Sequence, residues 1–553
     1  MRANTWCLGS RRLAGSMALA AALMASATAC GGGGGGHSVA DLAANLVTTT
    51  PPAAGDVGTV NWALPQGEPV SLDPVRAGNY SSNTIVPNMC ESLLTLNPDF
   101  SVKPGIAESY TQPDPLTLVF NIRPGVKFWN GSTVTAADVA YSLQRNTDPK
   151  NTPVGADLFR AVSAISETGP LQVTVKFARH DAQFLNNMAG PAAAVSEKAF
   201  VERVGPEYGT PQHGVMCTGP FKFGRWVPGD RIVLTRNDGY WGDKAHAAEF
   251  DFVFFTDDST LSSALAAGQI DGTYEVPIGS LGMLRGSSTG TVYFGPSTQS
   301  LSIGPVSPSG PAADPRIRTA LDLAVDKKAL INSVLRGAGT PLKTFTPPLL
   351  WAGDPAKAVY DAAYAELPDT SVADIDKAKA LVEQAAPASR NLTMAIPSGD
   401  QLGLQTATLV KSDAERIGLN IDIKQLQPTE FGELFYNPGK REGLDLIVTT
   451  GYIEVPGVYY YPPAFVMPDG PFNWTRWNNP EAAALLAEGQ QSGDRQDAAQ
   501  KFVASQRIFA PAKLQITLAG LAERLYMNKR ITGAPASFAY ISSPWAASVG
   551  SAQ

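Results

Sequence analysis

The sequence predicts an α/β protein, and three observations carry that prediction. Short runs of β-branched and aromatic residues, each closed by a turn signal, recur along the chain. Amphipathic periods with clear N-cap residues stand between them. At 553 residues and 44% hydrophobic content, the chain has material for two to three domains and a core that needs no staple. Strands interleaved with helices, without a fixed repeat, point to layered α/β packing.

Taken in order, residues 60–64 (Val-Asn-Trp-Ala-Leu) alternate and predict a strand. Residues 116–122 predict another, ended by Arg123-Pro124-Gly125, where Pro fixes φ and Gly accepts positive φ. Asn130-Gly131 is a hairpin dipeptide. Thr135, with Asp138 three residues on, is an N-cap for a helix over 136–145. Residues 171–177 and 231–236 predict further strands. Asp314-Pro315 opens a helix through Ile317 and Leu321, and 375–386 and 479–491 are the other strong helical periods.

The N-terminus has its own character. A basic head (Arg2, Arg11, Arg12) precedes an apolar run over 13–27, small residues Ala27-Thr28-Ala29, then Cys30 and six glycines. That pattern predicts a secretory signal peptide over 1–29. The run is shorter than the roughly 20 apolar residues a membrane span needs. With cysteine at the cut, it resembles a bacterial lipoprotein signal, apart from Ala27 where Leu is usual. The resemblance implies a diacylglyceryl (palmitate-type) anchor on the Cys30 thiol. Residues 30–56 then read as the lipidated cysteine and a flexible tether, with an rms span of roughly 28 Å.

A formal charge of −7 argues against a nucleic-acid partner. Of four cysteines, Cys90 and Cys217 remain beyond the signal and lipid site, and in an oxidising compartment they are predicted to pair; two buried thiols are the alternative. None of the four histidines stands in His-Glu-x-x-His. There is no Gly-x-Ser-x-Gly elbow, P-loop or close-spaced zinc ligand pair. The chain is therefore read as not an enzyme, with no metal site and no cofactor.

Five segments, in order, carry a family resemblance. They are Ser71-Leu72-Asp73-Pro74; the stretch from Ile106-Ala107-Glu108-Ser109-Tyr110 through Phe128-Trp129-Asn130-Gly131 to Tyr141-Ser142; Thr218-Gly219-Pro220-Phe221 through Tyr240-Trp241-Gly242; Ala264 to Asp271; and Asp314-Pro315-Arg316 with Val325-Asp326-Lys327. Together they resemble the family 5 extracytoplasmic solute-binding proteins of ABC importers, the peptide- and nickel-type receptors. The motifs themselves read as turns and anchoring rings that identify the fold. The resemblance implies a two-lobed periplasmic-binding-protein type II fold (cluster C type). Lobe one would take 57–295, with an extra subdomain over 100–215, and 522–553; lobe two would take 296–521. Crossovers would lie near Tyr293-Phe294-Gly295 and Leu518-Ala519-Gly520.

The resemblance also places a ligand site. One wall is the loop holding Gly78, Asn79 and Tyr80, another is Gly451-Tyr452, and a third is Phe431. Peptide receptors carry an Asp shortly after the Gly-aromatic pair, which pairs with the ligand's amino terminus. The simplest alignment puts Val455 there, so either a loop shift brings Glu454, one place earlier, into the role or the amine anchor is absent; Glu454 is the reading taken. A buried ammonium needs a carboxylate partner. Strand-like hydrogen bonds can meet peptide amides of any sequence. Tyr459, Tyr460, Tyr461, Phe465, Phe472, Trp474 and Trp477 supply aromatic surface, some of it lobe-two packing. The expected function is a lipid-anchored monomer outside the plasma membrane that captures peptides for an ABC permease and its ATPase subunits. The alternatives are a same-family receptor for a sugar, haem or metal chelate, and a surface lipoprotein with a scaffolding role.

Overall fold

The computed structural model describes residues 45–553. The signal segment and Cys30 lie outside them. Two large sheets organise the described chain. The first has seven strands, in the order Gly290–Gly295, Glu523–Asn528, Gly272–Thr273, Val57–Leu64, Ala247–Phe254, Arg231–Arg236, Phe221–Val227. Val57–Leu64 sits at its centre, parallel to both neighbours. Its alternation buries Val60, Trp62 and Leu64. The Trp62 ring packs on Trp545 and Tyr274, with centroids 4.5 and 5.2 Å away.

The second sheet has six strands, in the order Gly339–Pro341, Ile516–Leu521, Ser300–Pro305, Leu446–Gly451, Asn391–Pro397, Asn420–Leu426. Helices Pro315–Ala324, Ile375–Ala385 and Gln401–Arg416 bury apolar faces in its core. A four-stranded antiparallel sheet (Ala107–Asp114, Thr117–Ile122, Gln172–Phe177, Val162–Gly169) forms a smaller layer. Against it lies helix Ala136–Gln144, whose Thr135–Asp138 capping box is satisfied in both directions.

The chain crosses from the first sheet to the second between Gly295 and Ser300, and returns between Leu521 and Glu523. The two crossings run side by side: Gly295 pairs with Glu523 and Ser300 with Gly520. Gly295 owes its identity to crowding. A Cβ there would lie 1.8 Å from the Ala536 carbonyl oxygen.

The family-like motifs are structural anchors. Asp73 caps the turn Pro74–Arg76 and forms a buried ion pair with Arg145 at 2.6 Å. Lys327 reaches Asp322 at 2.7 Å, and Lys513 reaches its other oxygen at 2.6 Å. Cys90 and Cys217 form a disulfide with Cα atoms 4.9 Å apart. The next residue, Glu91, accepts from Tyr240 OH (2.6 Å), Thr218 Oγ1 (2.7 Å) and Trp241 Nε1 (2.9 Å).

One boundary needs correction. The tether reading extended to residue 56, but the chain is already fixed from Val47. Val47 N–H donates to Phe294 O (2.8 Å), Ala536 N–H to Thr48 O (2.9 Å) and Ala54 N–H to Ser551 O (2.8 Å). Thr50 is buried, its hydroxyl donating to Ala534 O at 2.8 Å. A Pro-rich segment can satisfy its carbonyls on a neighbouring strand without forming one itself. Composition alone therefore reads it as loose. Among the described residues, no helix is long and apolar enough to cross a membrane.

Candidate ligand-binding cleft

Between the sheets, polar residues of the two lobes meet. Asn79 Oδ1 accepts from Ser82 N–H and caps helix Tyr80–Ile85. The helix carries Tyr80 and, three residues on, the buried Asn83. Facing it, strand Leu446–Gly451 delivers Tyr452 and Glu454 from the second lobe. The Tyr80 and Tyr452 rings stand 4.6 Å apart, with Phe538 beside both. Tyr452 OH donates to Gly78 O (3.3 Å) and accepts from Asn83 Nδ2 (3.1 Å). Asn83 Nδ2 also reaches Glu454 Oε1 at 3.3 Å. Further along, Gln183 Nε2 donates to Pro456 O (3.4 Å) and Ala182 N–H to Gln490 O (2.9 Å). The lobes thus touch along the cleft. A cavity of about 170 Å³ lies beside Tyr460, lined also by Asp157, Arg160 and Asp181.

Glu454 is half-buried and its described partners are neutral. Burial pushes its carboxyl up to about 7, and hydrogen bonds from Asn83 and Tyr460 only partly offset that. Asn83 Oδ1, beside it, is a buried acceptor with no hydrogen-bond partner. The Asn83 amide thus offers its Nδ2 to Glu454 and leaves its Oδ1 open, and among the described residues no side-chain cation acts on Glu454. The Tyr80 and Tyr452 phenols are raised by burial and by nearby carboxylates, so both remain donors.

The expected residues separate into two groups. Gly78, Asn79, Tyr80, Tyr452 and Glu454 come together, and Gly451 precedes them in the ladder opposite Ser300. Val455 is turned the other way, into the first lobe's core. Phe431 does not join them. The short helix Pro428–Glu433 turns it into a separate cluster with Leu434, Leu444 and Ile447, its ring 6.0 Å from Phe435. Much of the aromatic run is likewise packing: Tyr459 and Phe465 are buried with Phe345, Phe502 and Phe509. Tyr460 is the exception, hydrogen-bonded to Glu454. Sequence reasoning missed Asn83, Gln183 and Gln299. A polar residue one turn beyond an N-cap was the available signal for Asn83. Gln183 stands in a turn and Gln299 in the connection before Ser300, with no such signal. No group of three metal-ligating side chains occurs among the described residues.

Comparison with known proteins fits this architecture. The glutathione-binding protein GsiB of Pectobacterium atrosepticum is 29% identical over 300 residues, 52% of this chain and 57% of that protein. GsiB of Escherichia coli O1:K1 is 23% identical over 448 residues, 79% of this chain and 84% of that one. The oligopeptide-binding protein AppA of Bacillus subtilis, solved with a nonapeptide, superposes with a TM-score of 0.77 at 19% identity, covering 90% of this chain and all of that one. The fold is that of the type II periplasmic binding proteins. The model for "Bacterial extracellular solute-binding proteins, family 5 Middle" matches residues 101–485, and the chain belongs to that family of extracytoplasmic receptors for ABC importers.

Proposed function

We propose that this receptor captures a short peptide or peptide-like solute by its free amine, in the cleft between Tyr80 and Glu454. The observation that carries the reading is the pair of acceptors, Glu454 and Asn83 Oδ1, with no cation acting on Glu454 among the described residues. An ammonium from the ligand would compensate the carboxylate and fill the open acceptor. The tyrosine pair offers flat, sequence-tolerant surface for the rest of the ligand. The name of the GsiB relatives, glutathione-binding, supports a short ligand with a free amine. Closure on the ligand would then present the complex to a permease driven by separate ATPase subunits. In the same reading the protein is a monomer held at the outer face of the plasma membrane through lipid on Cys30.

Native mass spectrometry of the purified protein, followed by denaturation, tests the cargo. A co-purified short peptide supports the reading; a sugar, haem or metal chelate replaces the cargo. Calorimetry with a tripeptide and its N-acetylated form tests the anchor. Acetylation is expected to weaken binding at least about tenfold, since hydrogen bonds to charged groups contribute about 1.5–3 kcal/mol. Glu454→Gln is expected to abolish the difference. Equal affinity for both forms in the unaltered protein would remove Glu454 as the amine anchor.

A further inference from the structure

Both chain crossings converge on one buried acid at the root of the cleft. Glu275 follows strand Gly272–Thr273 of the first lobe and is held at φ +55°. Non-glycine residues seldom adopt that left-handed conformation, and such strain tends to collect at functional positions. The Glu275 N–H donates to Glu523 Oε1 at 3.0 Å, and Glu523 opens the returning strand. Gln299 lies on the outgoing crossing, just before Ser300. Its Nε2 donates to Glu275 Oε1 and, at 3.3 Å, to Tyr80 OH. Leu521 N–H donates to Gln299 O at 3.0 Å, tying the two crossings together. Glu275 is therefore in contact with both crossings and one side chain away from the cleft wall.

The charges around it do not balance. Two buried carboxyl groups face one guanidinium, Arg524, whose Nε and Nη1 donate to the carbonyls of Val276 (2.9 Å) and Ala522 (2.8 Å). Glu523 Oε1 accepts the Arg524 N–H at 2.9 Å, while Glu523 Oε2 has no hydrogen-bond partner. The other groups facing Glu275 are neutral: Gln66 and Gln299 by hydrogen bond, and the phenols of Tyr80, Tyr452 and Tyr540. Tyr274 faces Glu523.

We propose that Glu275 is a positioning residue for ligand capture, and that a proton held by the Glu275–Glu523 pair couples closure of the lobes to pH. The link to the ligand rests on the cleft reading above, through Tyr80; the link to closure does not. Burial first, then the Glu523 charge, raises the Glu275 carboxyl, and burial raises Glu523. Rotation about the crossings draws Gln299 away from Glu275 and admits water, while Glu523 stays beside it in the first sheet. Relief of burial, the largest cause of the raised carboxyl, outweighs the lost Gln299 hydrogen bond, so the open form holds the proton less tightly. The sign follows from linkage. Below the ordinary glutamate range both forms are protonated and closure is fully supported. As pH rises from that range through the raised value of the closed form, support for closure is lost.

The test needs no ligand. Spin labels at Val154→Cys and Tyr436→Cys, both exposed and on opposite lobes, report the interlobe distance in the purified protein. The measurement is made in a Glu454→Gln, Asp181→Asn background, which removes two other raised acids at the cleft. Between about pH 5 and about pH 9 the open-to-closed ratio is expected to rise at least about tenfold, one unit of pKa difference being a factor of ten. Glu275→Gln is expected to flatten that response, and Glu523→Gln to reduce it, with the second variant standing in should the first fail to fold. An unchanged pH response in the variant that folds overturns the proposal. A flattened response in a protein that ignores free-amine peptides would keep the switch and remove only the cargo reading.

Discussion

Glu454 in the cleft and the Glu275–Glu523 pair at the crossings are raised by the same cause, burial, yet their surroundings differ. Glu454 is held by neutral donors that include Asn83 of the opposite lobe. The crossing pair sits beside a resident cation, Arg524, with Glu523 held by backbone N–H groups and Glu275 by the amides of Gln66 and Gln299. One site lacks a positive charge that a solute could bring; the other has most of its compensation built in and lacks only a proton. Glu91 shows the structural limit of the series. It is also raised by burial, but three donors fix it within one lobe. Burial of an acid does not by itself mark a ligand site; the origin of its partners does.

Removing the resident cation is the strongest way to break this comparison. Arg524→Met leaves two buried carboxyl groups uncompensated and is expected to destabilise the protein by about 3–5 kcal/mol. Urea denaturation at neutral pH measures it, and the deficit is expected to shrink in acid, where both groups are protonated. Asn83→Ala removes the hydrogen bonds to Tyr452 and Glu454 and is expected to cost about 1–2 kcal/mol. Similar losses from the two would mean that the cation does not serve the pair.

The next effect tests the cleft acid through stability. The folded Glu454 carboxyl titrates at about 7, above its unfolded value of 4.5. Its contribution is thus fully present below the unfolded value and is lost as pH rises through the folded one. Glu454→Gln has no such loss. The variant is expected to match the parent near pH 4 and to exceed it by about 2 kcal/mol above about pH 8, after allowance for partial exposure. Parallel stability curves across that range would mean that Glu454 is not held in a raised state.

The sequence made one of these two regions legible and not the other. The strand over 231–236 and the helices opened by Thr135 and Asp314 lie where their start signals put them, because caps, alternation and turns act locally. Tyr80 follows the Ser71-Leu72-Asp73-Pro74 motif closely, Tyr452 and Glu454 are read from the Gly-aromatic pair that the resemblance implies, and the structure brings the three together. Phe431 was misplaced because one helical turn decides whether an aromatic faces a cleft or a core. Glu275 could not be found: its partners Gln299 and Glu523 are 24 and 248 residues away, and nothing local announces that they meet. The tether reading of 47–56 failed for the same reason, since its partners at 534–536 and 551 are at the other end of the chain.

Ligand binding sharpens the contrast, because the two acids then pull in opposite directions. On the proposed reading, an ammonium against Glu454 would lower its raised pKa, so binding would release a proton. Through Glu454 alone, affinity for a free-amine tripeptide would fall about tenfold for each unit of pH below about 7. Over the same interval the crossing pair favours closure. In Glu275→Gln the acid limb is therefore expected to steepen, as calorimetry at several pH values would reveal. An affinity that rises steadily into acid would put the crossing pair in sole control.

The smallest expected effect concerns the contact that joins the regions. Tyr452 OH bridges Gly78 O and Asn83 Nδ2 across the cleft, and its ring lies against Tyr80, which Gln299 ties to Glu275. Tyr452→Phe keeps the ring stacking and removes both hydrogen bonds. The closed form is expected to lose about 1 kcal/mol, roughly a fivefold shift of the open-to-closed ratio in the same interlobe distance measurement. The pH response of closure is expected to survive, because Gln299, Glu275 and Glu523 remain in place. If Tyr452→Phe erased that response, the two regions would form one network, and the difference drawn between an acid awaiting a solute and an acid holding a proton would not stand.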